Sequence, residues 1–209
     1  MRTERRFLWK CLQVVARVLT TLLFDLKVYG RRHVPARGGV LIVSNHQSAL
    51  DPVVLAVRLS RPMNYLAKSE LFQYRCFTRL LRVVNAFPVR QGAGDVRAVK
   101  ETIQRLQEGH LMNVYPEGAR TLDGEIGPMQ KGVALIIERA RVAVVPAVIV
   151  GAFEAWPIQR RVFTCRPIRI QYGPPMDLTG LERDEIMIVI DRKLREMHES
   201  LRAGSCSGA

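Results

Sequence analysis

The chain is poor in several things that would have named its chemistry quickly. Its four cysteines, Cys11, Cys76, Cys165 and Cys206, lie far apart and form no C-x-x-C pair. That spacing excludes the usual zinc and dithiol motifs and suits reduced thiols in a reducing compartment. Beyond His46, the histidines are His33, His110 and His198, and none stands in a ligand-spaced motif, so no metal is expected. No G-x-S-x-G sequence occurs, which removes the common serine-nucleophile elbow. Aromatic residues make up only 7% of the chain, too few and too scattered for a base-stacking platform. Acidic residues are also short: 19 Asp and Glu face 32 Lys and Arg, a net charge of +13. Such a surplus calls for an anionic partner, whether lipid, nucleic acid or an acidic carrier.

A long apolar run is missing too. Phe7–Tyr29 is strongly apolar but broken by Lys10, Arg17, Asp25 and Lys27, and its longest charge-free stretch is Val18–Phe24. A spanning helix needs about 20 predominantly apolar residues. No small-residue cleavage site precedes Gly30-Arg31-Arg32, which argues against a secretory signal. Leu8, Leu12, Val15, Leu19, Leu22 and Leu26 recur every three or four residues behind Arg2, Arg5, Arg6 and Lys10. Two readings fit this pattern: a helix packed on the domain, or one lying in a membrane interface. The basic cluster favours the second.

What is present beyond Gly30 alternates. Val40–Val43, Asn64–Ala67, Ala86–Val89, Leu111–Tyr115, Val144–Val150 and Ile168–Tyr172 are short apolar segments bounded by Gly, Pro or Asn, and read as strands. Pro52–Leu59, Glu70–Val83, Asp95–Glu108, Gln130–Ala140 and Arg183–Leu201 carry helical spacing, with Asp95 as an N-cap and Gly109 as a stop. The alternation predicts one α/β domain over 31–202, with a central mixed sheet flanked by helices. An interfacial helical segment, residues 1–30, precedes it, and a disordered tail, 203–209, follows. In such folds functional groups gather at strand ends.

Those ends are polar. Asn45-His46-Gln47-Ser48-Ala49-Leu50-Asp51 follows the first strand, Arg90 the third, and Tyr115-Pro116-Glu117-Gly118-Ala119-Arg120 the fourth. A histidine with an aspartate five residues on makes a base with an orienting carboxylate if a helix starts between them. By itself this spacing is weak, since a lone histidine at a strand end is more often structural. A glycine that lets backbone approach a ligand, followed by the Arg120 fork, suits a phosphate or carboxylate.

Four segments of the chain, in order and spacing, resemble the conserved blocks of the glycerophospholipid acyltransferases. "NHQSALD" resembles their Asn-His-x4-Asp block and "FPVR" their second. "YPEGAR" is similar to the third and "VVPAVIVG" to the fourth. The four span Val40–Gly151, over half the chain. The resemblance is nearest to the bacterial enzymes that acylate 1-acylglycerol-3-phosphate. It implies the glycerol-3-phosphate acyltransferase-like fold and transfer of an acyl group from acyl-CoA or acyl carrier protein to the lipid hydroxyl, giving phosphatidic acid. His46 is then the general base and Asp51 its orienter. Glu117, Gly118 and Arg120 sit at the acceptor, and Lys68 and Arg90 bind phosphate, with Lys131 as a further candidate. No cofactor is implied beyond the thioester co-substrate. The implied location is the cytoplasmic face of the cell inner membrane, in peripheral or monotopic attachment to its anionic surface. The family usually has Thr or Ser where this chain has Ala119, which keeps another lysolipid or an amino-lipid open as acceptor. Charge alone also allows a non-catalytic basic module for membranes or nucleic acid, though nothing else in the sequence points to nucleic acid.

Overall fold

The computed structural model of the chain describes residues 3–73, 78, 79, 81, 85–89 and 95–204. Helix α1 (Thr3–Phe24) leads into a short strand β1 (Lys27–Tyr29) and a 3-10 turn (Arg31–His33). There follow β2 (Val40–Ser44), α2 (Asp51–Ala56), β3 (Met63–Lys68), a 3-10 turn (Ser69–Gln73) and β4 (Ala86–Val89). The second half comprises α3 (Val96–Gln107), β5 (Leu111–Val114), α4 (Gly132–Ala140) and β6 (Ala143–Val150). Helix α5 (Ala152–Ala155), β7 (Arg169–Tyr172) and α6 (Arg183–Arg202) complete the order.

The seven strands form one sheet in the order β1-β7-β6-β2-β5-β3-β4. Strands β2 to β6 run parallel; β7 is antiparallel to β6, and β1 pairs parallel with β7. The sheet is therefore mixed. A parallel strand buried on both faces needs apolar residues at every position, and all five residues of β2 are buried. Alternate side chains go to opposite faces. Val40 and Ile42 join the core under α1 and α2, whereas Leu41 and Val43 join the core under α3, α4 and α6. On α6 the buried positions Ile186, Ile190, Leu194, Met197 and Leu201 repeat at three and four residues, giving one stripe that lies on the sheet.

Helix starts follow capping chemistry. The Asp95 side chain accepts from the backbone N–H groups of Arg97 (3.1 Å) and Ala98 (3.2 Å) at the head of α3. Gly109, at φ 86°, ends the same helix as expected.

Two stretches differ from the sequence reading. The N-terminal helix stops at Phe24, and Lys27–Tyr29 leave it to become an edge strand. The reason is local: Asp25 turns to φ 39°, the Phe24 carbonyl accepts from Ile168 N–H (2.8 Å), and Lys27 N–H donates to Ile168 O (3.0 Å). Leu26, expected on the outer stripe, is consequently buried. The helix expected over Glu70–Val83 opens as the 3-10 turn Ser69–Gln73, and much of its remainder lies outside the described residues. So do Arg90 and residues 205–209 of the expected tail.

Candidate active site

Strands β2 and β5 are neighbours in register, Val43 beside Val114. The residues that follow them therefore emerge together at the carboxyl edge of the sheet, where ligands of open α/β folds bind. His46 leaves β2 and Asp51 begins α2. The imidazole Nδ1 lies 2.8 Å from Asp51 Oδ2. The same oxygen accepts the backbone N–H groups of Gln47 (2.6 Å) and Ser48 (2.8 Å), so the loop is wrapped around the carboxylate. An oxygen already accepting two N–H groups accepts a third from Nδ1–H, which leaves the neutral ring's lone pair on Nε2. Asp51 is fully buried, while the His46 side chain retains 18% exposure. Among the described residues Nε2 has no hydrogen-bond partner.

The loop is tied down from three sides. Asn45 donates from Nδ2 to Ile149 O (2.9 Å) and accepts Ile149 N–H at Oδ1 (2.8 Å), stitching the end of β2 to β6 as an extra ladder rung. The Ser48 hydroxyl donates to Trp156 O (2.8 Å), and Gln47 Nε2 donates to Gly124 O (3.0 Å). Just beyond β5, the Tyr115 ring stacks on the imidazole with centroids 3.8 Å apart and planes 12° from parallel. The Tyr115 hydroxyl is buried, and desolvation pushes its pKa well above the usual phenol value.

Glu117 acts on the backbone. Its Oε1 accepts His46 N–H (2.7 Å) and its Oε2 accepts Gly127 N–H (2.9 Å), joining the β2 loop to the segment before α4. Burial raises its pKa, and the two N–H donors and His46 pull in the opposite direction. Both carboxylate oxygens thus hold protein groups at the position expected to face the acceptor. Gly118 turns at φ 72° with its N–H on Tyr115 O (3.0 Å), a conformation that costs a side-chain-bearing residue dearly.

The next residues come back to the histidine: Thr121 N–H donates to His46 O (2.9 Å). Arg120, one residue before that bond, is partly exposed and has no hydrogen bond or ion pair among the described residues. Lys68 ends β3, in register with Val89 at the end of β4, so its backbone shares the carboxyl edge of the sheet. Arg90 would follow Val89 but lies outside the described residues. Lys131 instead pairs with Asp184 of α6 (2.9 Å), both largely exposed.

His46, Asp51, Glu117, Gly118 and Arg120 are therefore gathered at one place. Sequence reasoning did not find the roles of Asn45, Gln47 and Tyr115. The partners of their side chains lie 69 to 151 positions away, and contacts of that kind leave no periodic or compositional signal.

The same block of sequence is the part shared with known proteins. A family model described as "Acyltransferase" matches residues 25–150. The Bacillus subtilis 1-acyl-sn-glycerol-3-phosphate acyltransferase is 30% identical over 189 residues, 88% of this chain and 92% of that one. The human 1-acyl-sn-glycerol-3-phosphate acyltransferase alpha is 28% identical over 88% of this chain and 66% of its own length. The crystal structure of the 1-acyl-sn-glycerophosphate acyltransferase PlsC from Thermotoga maritima superposes with a TM-score of 0.83 at 26% identity, covering 97% of this chain and 85% of that chain. With a family model that spans β1 to β6 and the whole histidine loop, and a relative of nearly equal extent at 30% identity, the chain belongs to the acyltransferase family.

Proposed function

We propose that the chain transfers a fatty acyl group from a thioester to the free hydroxyl of 1-acyl-sn-glycerol-3-phosphate, forming phosphatidic acid. The observation that carries this reading is the oriented His46, with Nδ1 held by a buried carboxylate and Nε2 open. The acceptor hydroxyl gives its proton to Nε2 as its oxygen bonds to the thioester carbonyl carbon. The C–S bond then breaks, and the leaving thiolate takes the proton back from the imidazolium. Asp51 stabilises the imidazolium between these steps and keeps the ring from rotating. No serine or cysteine is acylated on the way. The resemblances in name to 1-acyl-sn-glycerol-3-phosphate acyltransferases support the acceptor.

Arg120, which has no ion pair among the described residues and stands next to Thr121, whose N–H bonds to the histidine loop, supplies a fork for the acceptor phosphate. Lys68 and Arg90 are its proposed companions in binding the phosphate. The donor is acyl-CoA or acyl carrier protein, both of which suit a basic surface. Among the described residues no helix is long and apolar enough to cross a membrane. Yet α1 turns Leu8, Val15, Val18, Leu19 and Leu22 outward, while Gln13, Ala16, Thr20 and Phe24 face the domain. We assign that outward stripe to the bilayer, which gives peripheral or monotopic attachment at the cytoplasmic face of the inner membrane.

His46→Ala, assayed by thiol release with acyl-CoA and acyl carrier protein donors on 1-acylglycerol-3-phosphate, should lose about 10²–10⁴-fold in rate. Survival within a few fold overturns the base assignment. Ala119 is exposed in the turn beside Arg120 and keeps a different lysolipid as the second reading. A headgroup panel separates the two: if Arg120→Ala is harmless and the headgroup phosphate is immaterial, recognition of phosphate is wrong.

A further inference from the structure

The loop between α5 and β7 is made for a surface other than the protein's own. Residues 158–167 are all exposed, in a run that includes Ile158, Val162 at 72% and Phe163. From Ala155 to Met176 the sequence contains no acidic residue and four arginines, Arg160, Arg161, Arg166 and Arg169. Among the described residues the side chains of Arg160, Arg161 and Arg166 make no hydrogen bond or ion pair. A loose loop would bury such apolar groups when it could, but this one is fixed by its own bonds. Thr164 N–H donates to Ala155 O (2.7 Å), Arg160 N–H to Pro157 O (3.1 Å), and Trp156 Nε1–H to Arg160 O (3.0 Å). The outward placement of Val162 is therefore built in.

The loop also continues two features already described. The Phe163 ring packs edge-on against Phe24 at the end of α1, centroids 5.6 Å apart, and against Trp156 at 6.1 Å. Leu22, the last outward residue of the α1 stripe, is 77% exposed two residues before that contact. On the other side, Gln159 Nε2 donates to Leu122 O (2.9 Å), and Leu122, 70% exposed, stands two residues beyond Arg120. Apolar groups flanked by arginines with no acidic partner among the described residues match one kind of partner: a bilayer that offers acyl chains and anionic phosphates at the same depth.

We propose that residues 156–167 form a second membrane contact, continuous with the α1 stripe through Phe163–Phe24, that docks on anionic lipid and seats the rim of the active site at the headgroup level. The inference rests on the assignment of α1 to the bilayer.

The full chain, its two variants Arg160→Glu/Arg161→Glu and Val162→Asp, and Leu22→Asp as the α1 control, should be floated with vesicles of phosphatidylcholine alone or mixed with phosphatidylglycerol. Both loop variants alter only exposed side chains, so their melting temperatures and their turnover of a short-chain, monomeric acceptor should match the unaltered chain. The charge reversal should weaken binding to phosphatidylglycerol vesicles at least tenfold and leave phosphatidylcholine binding little changed. Val162→Asp should weaken both. In a Trp9→Phe background, brominated lipid chains should quench Trp156. If Leu22→Asp loses binding while both loop variants bind like the unaltered chain and Trp156 is not quenched, the loop is no membrane contact, although α1 is one. If the unaltered chain does not float with either vesicle, both assignments fall together.

Discussion

Asp51 holds three hydrogens on one oxygen, and this separates what its charge does from what its shape does. In Asp51→Asn the amide oxygen can still accept the Gln47 and Ser48 N–H groups, so the loop keeps its course while the imidazolium loses its counter-charge. We predict a fall in kcat of about 10²-fold or more with a loss of stability of about 1 kcal/mol. Asp51→Ala removes the acceptor as well, leaving two buried N–H groups unpaired, and should lose a further ~1–3 kcal/mol. Rate assays beside thermal melts of the two variants distinguish these outcomes. Equal melting of both would show that the N–H groups find other partners. Glu117 yields to similar reasoning, because Glu117→Gln keeps one acceptor oxygen and turns an amide donor toward the other N–H. The variant should melt earlier and lose kcat rather than raise KM for the acceptor. A pure KM effect would return Glu117 to direct contact with the substrate.

At the level of elements, the buried face of α6 carries a titratable group directly under the histidine loop. His198 Nε2 lies 3.5 Å from Gln47 Nε2, so the ring must be neutral at that nitrogen to accept the amide hydrogen. Burial lowers its pKa below 6.5, Arg202 lowers it further, and Glu125, Glu154 and Glu199 raise it. The unfolded chain then binds the proton more readily than the folded one. The stability that His198 contributes is full above pH 6.5 and is lost as pH falls through the lowered folded value. Melting curves at pH 5 and pH 7.5 should differ less in His198→Gln than in the unaltered chain. An unchanged difference would place the acid sensitivity elsewhere. The turn after β6 is a second stress point. Gly151 sits at φ 91°, and a Cβ there would stand 2.1 Å from Pro167 O. Gly151→Ala should lose about 2 kcal/mol or more, lowering Tm by about 4–8 °C. Much at this scale was legible beforehand. Strands β2, β5 and β6 announce themselves because a parallel strand buried on both faces must be apolar throughout, and Asp95 and Gly109 mark helix ends by backbone chemistry. Strand β1 was not legible, since three residues at a sheet edge, following an apolar helix without a break in composition, have no period of their own. His46 with Asp51 could be read because both lie within one loop. The Tyr115 stack and the Glu117 clamp could not, because they join β2 to β5 across the sheet.

At the proposed membrane contact, charge and apolar shape act by different laws. A net charge of +13 attracts an anionic surface over distances that salt controls, about 10 Å at 0.1 M ionic strength. The outward residues of α1, among them Val14, Val15, Val18, Leu19 and Leu22, gain by leaving water and are indifferent to screening. Their exposure also explains why sequence periodicity alone left α1 undecided. The apolar spacing was visible, but the face that packs on the domain is the one with Gln13 bonded to Leu59 O (2.8 Å) and with Thr20, a partly polar choice that no hydropathy pattern would select. Binding of the full chain to vesicles should accordingly have two parts. On vesicles rich in phosphatidylglycerol, affinity should fall by an order of magnitude or more between about 0.05 and 0.5 M salt, as roughly 1 kcal/mol per engaged basic residue is screened away. It should then level off at the affinity measured on pure phosphatidylcholine, which should hardly change over the same range. Leu19→Asp/Leu22→Asp should remove that plateau while leaving the steep, salt-sensitive part in place. A loss of all binding at high salt in the unaltered chain would show that charge alone holds the protein to lipid, and that the outward stripe of α1 is covered by something other than acyl chains.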